Sequence, residues 1–417
     1  MTYDSPDRRV RCWVAPIRNQ PDGTQTDSNC DTTESDAAQS CTERTGCLPQ
    51  LTLRAEKAGI VCDGSLKAIA HRRCGFKSRP SLHIKKRKRG LWVKIIDAGF
   101  EYFGLHDLGE DPVERVYKII ATAGRTCYKS EGSKGSEREF VTRIIERGHE
   151  AVLEHGNIIL HCDRKTMDWF VRTIAWAEHR LRRTFYLRTT FQVVSGNVRA
   201  WRDFFKYIIE LYPSAIPHFY PLMRKYDACF RDLWRSVDVC PERTEKVGKW
   251  REITVDELDD NEALVHRCET VRFIVDRGVS HEIVRHRPAS YCQESTRYCN
   301  YSQDRFNGEI TVIRPYPFTE ETPSYGAWKR ACEACEREYF NLLEIGELPE
   351  MARDVLPTST KTEVVMTATV GEWRHFFNLR ALGTTGRPHP QMREVALPLL
   401  RVMAGHLPAL FGDLLEV

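Results

Sequence analysis

The chain has 417 residues, of which 41% are hydrophobic, so it can bury a substantial core without disulfides or a metal ion. It contains no run of 18 apolar residues and no secretory leader pattern, so a cytoplasmic protein is expected, with no membrane partner. The net charge of +4 is uneven: residues 71–90 carry nine Lys and Arg and no acid, which leaves −5 for the rest. Nucleic-acid binding is therefore not expected, except through that basic run.

The 15 cysteines are scattered through a long chain and odd in number, which favours reduced thiols over a disulfide framework. Cys332 and Cys335 form a lone CxxC pair inside a predicted helix. No second Cys or His pair follows at zinc spacing, so no metal site is expected.

Two regions differ in composition. Residues 1–90 are rich in Ser, Thr, Asp, Arg and Cys and have no hydrophobic period, so they are predicted to be a disordered N-terminal extension. Residues 91–417 read as one folded domain, with an insertion at about 163–262. Strands alternate with helices without a regular βαβ rhythm, which predicts an α+β core, a mixed or antiparallel sheet flanked by helices, with a helical insertion.

Several elements are predicted from local signals. Val113, Val116 and Ile119 mark one apolar face of a first helix. Ser136 and Glu139 have the spacing of a capping box, and Asn197 precedes an amphipathic helix as an N-cap. Further on, helices are predicted at about 325–345 and from Pro390, and strands at "NIILHCD" and "KTEVVMTAT".

The segment "VRFIVDRGVSHEIVRHRPASYCQESTRY" is the most informative. It predicts a strand (271–275), a turn at Gly278, a short helix N-capped by Ser280 and a break at Pro288. Arg285, His286 and Arg287 then place two cations and an imidazole side by side. Guanidinium groups match phosphate oxygens bidentately, so a nucleotide phosphate is a suitable ligand. On charge alone, a solvated surface patch remains an alternative.

The full set of spaced polar residues at 285–298 distinguishes between a phosphate-binding site and a solvated surface patch. "RHRPASYCQESTRY" resembles the RHR-x2-S-x4-S-x-R motif of the flavin-dependent thymidylate synthases. "GHEAVLEH" (148–155), "ARDVLP" (352–357), "NLR" (378–380) and "HPQMRE" (389–394) resemble further motifs of that family, in the right order. The resemblance runs from about residue 92 to the C-terminus.

The resemblance implies reductive methylation of dUMP to dTMP, with FAD as cofactor and with methylenetetrahydrofolate and NADPH as co-substrates. It also implies a homotetramer with FAD at subunit junctions. The FAD contacts carried over are Arg285, His286, Arg287, Gln293 and His375. The dUMP contacts carried over are Glu282, Arg285, Gln293, Glu294, Ser295, Thr296, Arg297, Arg353 and Arg380. The catalytic set is Arg380, which would face the pyrimidine, His149, which would lie near the flavin ring, and Ser295.

This chain departs from the family pattern at several positions. Glu282 stands where some members have Gln, and Thr369 and Gly371 replace an Asn and an Arg found near the flavin adenine. Two rival functions remain open: a uridine methylase that uses folate and FAD on RNA, and a non-enzymatic protein that binds nucleotides or RNA. Flavin binding and a choice between free dUMP and RNA would separate the three.

Overall fold

The computed structural model describes residues 93–104, 108–130, 135–237, 247–296, 300–303, 306 and 308–416. All of them belong to one compact unit, Pro80–Val417. The predicted N-terminal extension and the basic run at 71–90 lie outside the described residues, as does Arg297. None of the helices in the described part of the chain is long and apolar enough to cross a membrane.

The helices follow one another along the chain with these bounds: α1 Pro112–Tyr128, α2 Glu137–Glu146, α3 Arg164–Leu181, α4 Val198–Leu211, α5 Tyr220–Lys225, α6 Asp227–Trp234, α7 Asp260–His266, α8 Arg277–Ile283, α9 Pro323–Glu344, α10 Pro349–Ala352, α11 Val370–Phe377, α12 Pro390–His406 and α13 Pro408–Phe411. The strands are β1 Lys94–Ile96, β2 Gly99–Phe103, β3 Asn157–Cys162, β4 Arg188–Thr189, β5 Val193–Asn197, β6 Trp250–Glu252, β7 Cys268–Asp276, β8 Ser290–Gln293, β9 Thr311–Ile313 and β10 Lys361–Thr369.

Two antiparallel sheets organise these elements. The central sheet has the strand order β2-β7-β10-β8, and its longest pairing joins all nine residues of β7 and β10, from Lys361 opposite Asp276 to Thr369 opposite Cys268. The second sheet has the order β4-β5-β3-β6. β1 and β9 form a short parallel pair, and a single bridge joins Val312 of β9 to Thr360, the residue before β10. The predicted mixture of helices with antiparallel sheet is confirmed.

The helix starts follow the predicted capping signals. Ser136 and Glu139 form a reciprocal capping box at the start of α2, and Asn197 accepts a hydrogen bond from the backbone of Ala200 at the start of α4. These contacts satisfy amide groups that the first turn of a helix leaves without partners. Both predicted caps are therefore confirmed.

Two hydrophobic clusters form most of the core. One lies between the central sheet and the C-terminal helices and includes Phe273, Trp373 and Phe376. The other joins α1 and α2 to the helices of the predicted insertion. That insertion, expected to be helical, supplies α3 to α6 and also three strands of the second sheet: β5 and β6, which flank β3, and β4, which pairs with β5.

The predicted N-cap at Ser280 is wrong. The N-cap of α8 is Asp276, four residues earlier, which accepts a hydrogen bond from the Val279 amide at 2.8 Å. Ser280 is fully buried instead, and its hydroxyl donates to the carbonyl of Arg277 at 2.8 Å. Asp276 ends the buried strand β7 and lies beside the free amides of the first turn, so the helix starts there and Ser280 falls inside it.

The insertion core should be sensitive to loss of one ring. Phe204 is fully buried and touches the rings of Trp169, Phe170 and Phe185. We predict that Phe204→Ala lowers the free energy of unfolding by about 3 to 5 kcal/mol, because it leaves a cavity. Urea unfolding followed by circular dichroism measures the change. The control is Phe191→Ala at an 89% exposed side chain, where a change of less than about 0.5 kcal/mol is expected. Equal effects would contradict the packing described here.

Candidate active site

The turn that carries Arg285, His286 and Arg287 follows α8 directly and leads into β8. The Tyr291 hydroxyl lies 2.7 Å from the carbonyl oxygen of His286 and 3.0 Å from that of Ile283. Its hydrogen bond to these carbonyls stabilises the turn. The Arg287 guanidinium lies over the Tyr291 ring, 5.1 Å from its centroid. Tyr291 therefore fixes the backbone from which both arginines project.

The three side chains of this turn have different environments. Arg285 and Arg287 are exposed, and neither makes an ion pair with any described residue. His286 is buried between them, with its ring centroid 5.4 Å from that of His375 and 5.5 Å from that of Phe376. Two unpaired cations thus flank a buried imidazole, which is an arrangement that an anionic ligand would stabilise.

His286 is held in its neutral form. Burial, with smaller contributions from the nearby His375 and Arg380, lowers its pKa to about 4. Its Nε2 lies 3.4 Å from a carboxylate oxygen of Glu372 but makes no hydrogen bond within the described structure. At neutral pH this ring can therefore offer one donor or acceptor to a ligand without adding a charge.

Arg380 reaches the same place from a different element. It lies in the π-helical turn Asn378–Leu382 that continues α11, and its Nη1 lies 3.7 Å from a carboxylate oxygen of Glu282 on α8. Its Nε is buried and has no hydrogen-bond partner among the described residues. Arg380 is thus only partly satisfied, and it retains donors for a ligand.

The residues that follow the turn are held more tightly. The Gln293 amide donates to the hydroxyls of Ser280 at 3.0 Å and Thr362 at 3.2 Å. Glu294 is buried and pairs with Lys361 at 3.0 Å and Lys129 at 3.6 Å. Their polar atoms are largely occupied by the protein itself. The predicted FAD and dUMP contacts of Gln293, and the dUMP contact of Glu294, stay predictions.

Glu363 completes this buried charge cluster. Burial alone would raise its pKa, but Lys361 and Lys129 lower it to about 2. Glu294 and Lys361 line a polar cavity of about 120 Å³. Glu363 and Lys129 adjoin them, because Glu363 pairs with both lysines. The cluster fixes the end of β8 from which residues 295–297 continue.

Ser295, Thr296 and Arg353 lie beyond that end. The Ser295 amide donates to the carbonyl of Cys127 at 3.3 Å, and Arg353 donates to the hydroxyl of the buried Thr296 at 3.4 Å. Arg353, a predicted dUMP contact, is therefore brought next to the motif although the two are far apart in the sequence. Arg297 cannot be placed within this group, because it lies outside the described residues.

His149 occupies a separate position. It is exposed at the start of the 3-10 segment Glu150–His155, and its Nδ1 lies 2.7 Å from the Tyr128 hydroxyl. The contact between this segment and the motif strand runs through Glu154, which accepts from the Ser290 hydroxyl at 3.2 Å and pairs with Arg199 at 2.6 Å. His149 itself makes no direct contact with the described motif residues.

Sequence reasoning missed three residues of this site: Glu372, Tyr291 and Glu154. Glu154 lies inside the motif "GHEAVLEH", so the sequence could have indicated that it belongs to the site. Glu372 and Tyr291 had no such signal, because their roles depend on how α11 and β8 pack.

Neither of two cavities in the described structure is lined by Arg285, His286, Arg287 or Arg380. One is the polar cavity beside Glu294, and the other, of about 100 Å³, lies between the two sheets and includes His155 in its wall. Arg285 and Arg287 are themselves exposed, so this turn faces an open surface of the single chain. The fold and the site together define an α+β protein with an exposed cationic surface that is suited to an anionic ligand.

Comparison with known proteins finds one family whose model matches part of this chain. Residues 240–409 match the family model described as "Thymidylate synthase complementing protein". Three relatives are each named "Flavin-dependent thymidylate synthase". The protein of Geobacter sulfurreducens is 33% identical over 139 residues, covering 33% of this chain and 57% of the relative. That of Pyrococcus furiosus is 34% identical over 128 residues, covering 31% and 50%, and that of Mycobacteroides abscessus 32% over 155 residues, covering 33% and 58%.

The resemblance to flavin-dependent thymidylate synthases, inferred from the motifs, is thereby confirmed for residues 240–409. This chain spans between 50% and 58% of the length of these three relatives. The matched family region begins after "GHEAVLEH", so the role of His149 stays a prediction. Among solved structures, a UMP/dUMP methylase, PolB from Streptomyces cacaoi, bound with 5-Br dUMP, aligns with a TM-score of 0.28 and 23% identity over 33% of this chain and 66% of that chain.

The low pKa of His286 makes stability depend on pH. The unfolded chain takes up this proton near pH 6.5, whereas the folded chain takes it up only near pH 4, so stability falls as the pH is lowered between these values. One such site contributes a slope of up to about 1.4 kcal/mol per pH unit. We predict that His286→Gln flattens the pH dependence of urea unfolding in this window. Phe191→Ala, at an exposed residue without a titrating group, is the control and should leave the slope unchanged. Identical slopes in all three proteins would contradict a buried neutral His286.

Proposed function

We propose that the chain is a flavin-dependent thymidylate synthase, a methyltransferase that converts dUMP to dTMP with FAD as its cofactor. The observation that carries the proposal is the meeting of Arg285, His286 and Arg287 with His375 and Arg380 at one surface, although they come from two distant parts of the chain. Both parts lie within the region that matches the family model. The cytoplasmic location expected from the sequence belongs to this proposal.

The turn at 285–287 fits a dinucleotide cofactor. Arg285 and Arg287 have no ion pair among the described residues, so their guanidinium groups are free for the phosphates of FAD. The buried Nε2 of His286 has no hydrogen-bond partner in the described structure, and a polar edge of the cofactor would satisfy it. When bound, the reduced flavin would supply the hydride and methylenetetrahydrofolate the carbon, with NADPH restoring the reduced state. The protein's own task is then placement and electrostatics.

The nucleotide side of the site is assigned to Arg353, Thr296 and Arg380. The hydrogen bond from Arg353 to Thr296 places that cation beside the motif, where it would hold the dUMP phosphate. Arg380 is assigned to the pyrimidine, where a cation stabilises negative charge that develops on the ring. Its 3.7 Å separation from Glu282 is long for an ion pair, so a ligand could displace this contact at small cost.

A homotetramer is part of the proposal. Arg285 and Arg287 are exposed on the described chain, so a second chain would be needed to enclose a flavin there. Ile345, Leu348 and Met351 are exposed by 77%, 55% and 56% and come just before Arg353 in the sequence. This apolar surface is suited to burial by another copy of the chain. An active monomer in analytical ultracentrifugation would refute the tetramer.

The direct test of the proposed function is a flavin absorbance spectrum of the purified full-length chain, recorded with and without dUMP. We expect bound flavin, a spectral shift on addition of dUMP, and turnover of free dUMP to dTMP in the presence of methylenetetrahydrofolate and NADPH. A colourless protein that cannot be loaded with FAD would contradict the proposal. Turnover of uridine in RNA but not of dUMP would favour the RNA methylase instead.

Two arginine substitutions should fail in different ways. We predict that Arg353→Gln mainly raises the dissociation constant for dUMP, by the worth of a charged hydrogen bond, about 1.5 to 3 kcal/mol. Arg380→Gln should chiefly lower the turnover rate at saturating dUMP, because its charge acts on the activated ring.

The measurements are titration of the flavin spectrum with dUMP and single-turnover oxidation of the reduced enzyme. Arg401→Gln, at an exposed arginine of α12, is the control and should change neither quantity. If Arg380→Gln binds dUMP weakly but turns over normally at saturation, the assignment of the two arginines is wrong.

A further inference from the structure

One surface of the insertion carries an unusual concentration of charge. Residues 164–192, which include α3 and the loop after it, contain seven Lys and Arg against two acids, a net charge of +5, whereas the whole chain has +4. Five of these cations are exposed and make no ion pair with any described residue: Arg164, Lys165, Arg172, Arg180 and Arg182. We use the name α3 surface for these five cations together with the exposed Trp176, Tyr186 and Phe191 of the same segment. Uncompensated cations at this density favour a polyanionic partner.

Aromatic side chains are exposed in the same segment. Trp176 is 43% exposed, Tyr186 75% and Phe191 89%. Trp176 lies one helical turn from both Arg172 and Arg180, so an indole and two guanidinium groups alternate along α3 at about 6 Å intervals. Exposed rings of this size are costly in water unless something covers them.

We propose that the α3 surface binds single-stranded nucleic acid. Proteins that bind single strands combine cations that follow the phosphates with aromatic rings on which bases stack. Four of the five unpaired cations are arginines, whose planar groups both fork onto phosphates and stack on bases. A duplex would satisfy the cations but would leave the rings uncovered, because its base faces are already stacked.

The pattern argues against a lipid membrane as the partner. A helix that lies in a membrane surface separates an apolar face from a charged one. The apolar face of α3 already packs into the hydrophobic cluster that joins α1 and α2 to the insertion helices, where Met167, Phe170 and Ala177 are buried. On the exposed face, Val171 and Trp176 alternate with Arg172 and Arg180 instead of forming a separate apolar side.

This inference revises the sequence-based expectation that only residues 71–90 could bind nucleic acid. It does not rest on the proposed methylation of dUMP, because none of the residues in the α3 surface belongs to the candidate active site. The two can therefore fail separately.

The test is binding of a fluorescein-labelled oligothymidylate of about 20 nucleotides to the full-length chain, measured by fluorescence anisotropy at several salt concentrations. The triple variant Arg172→Gln, Arg180→Gln and Arg182→Gln should bind about tenfold more weakly. It should also lower the slope of log affinity against log salt by about 2, since each lost phosphate contact removes about 0.7. The matched control, Arg330→Gln with Arg337→Gln and Arg401→Gln, makes the same change in net charge at exposed arginines of α9 and α12 and should change neither quantity.

A second pair of variants tests the rings. Tyr186→Ser with Phe191→Ser should weaken oligothymidylate binding while leaving the salt slope unchanged, because stacking releases no counterions. Tyr316→Ser, at a ring that is 55% exposed elsewhere, is the control. Duplex of the same length should bind more weakly than the single strand.

Three results would overturn the proposal. The first is equal binding by the triple variant and its control, with binding lost only when Lys85, Lys86 and Lys88 are changed to Gln. The second is binding to phosphatidylserine vesicles that oligothymidylate does not compete for. The third is self-association in sedimentation that the Tyr186 and Phe191 changes abolish, with no binding of the oligonucleotide by the original chain, since the rings would then be covered by another copy.

Discussion

The antiparallel pairing of β7 with β10 is the constraint on which the candidate site depends. Each strand runs directly into a helix, α8 after β7 and α11 after β10, and the last residue of each strand, Asp276 or Thr369, caps the helix that follows. Because the strands are antiparallel, the helices start at opposite ends of the sheet and run towards each other over the same hydrophobic cluster. The residues that end them, Glu282 to Arg287 and His375 to Arg380, consequently meet. A cationic surface is assembled there from two segments that share no local sequence relation.

Much of the fold could be predicted from the sequence where the signal is local. The capping box of α2 and the Asn197 cap of α4 involve residues three positions apart, and the central strands show clear β-branched patterns. The prediction failed at Ser280, because Asp276 at the end of a buried strand starts the helix four residues earlier and Ser280 falls inside it. The strand β8 was also missed, because its polar residues gave no apolar alternation and its pairing partner β10 comes far later in the chain.

For the candidate site, too, only the local features could be predicted from the sequence. Arg285, His286 and Arg287 could be identified from their spacing, and their proximity to His375 and Arg380 followed only from family resemblance until the structure brought them together. The neutral state of His286 could not be predicted, since it depends on burial against Phe376 and on the charge of Arg380. Likewise, the neutralisation of Glu294 by Lys129 and Lys361 requires three separate segments to converge.

The contact of Arg199 with Glu154 bears on whether the predicted insertion, residues 163–262, could be removed from the chain. Glu154 accepts a hydrogen bond from the Ser290 hydroxyl at the start of β8. Its counterion, Arg199, belongs to α4 within the predicted insertion. Arg202 and Lys206 of the same helix neutralise Glu150, four residues earlier. The predicted insertion therefore cannot be removed without other changes to the chain. A shortened version that joined the flanking strands would leave two carboxylates without their cations beside the motif, and would require neutral replacements at 150 and 154 to restore the balance of charge.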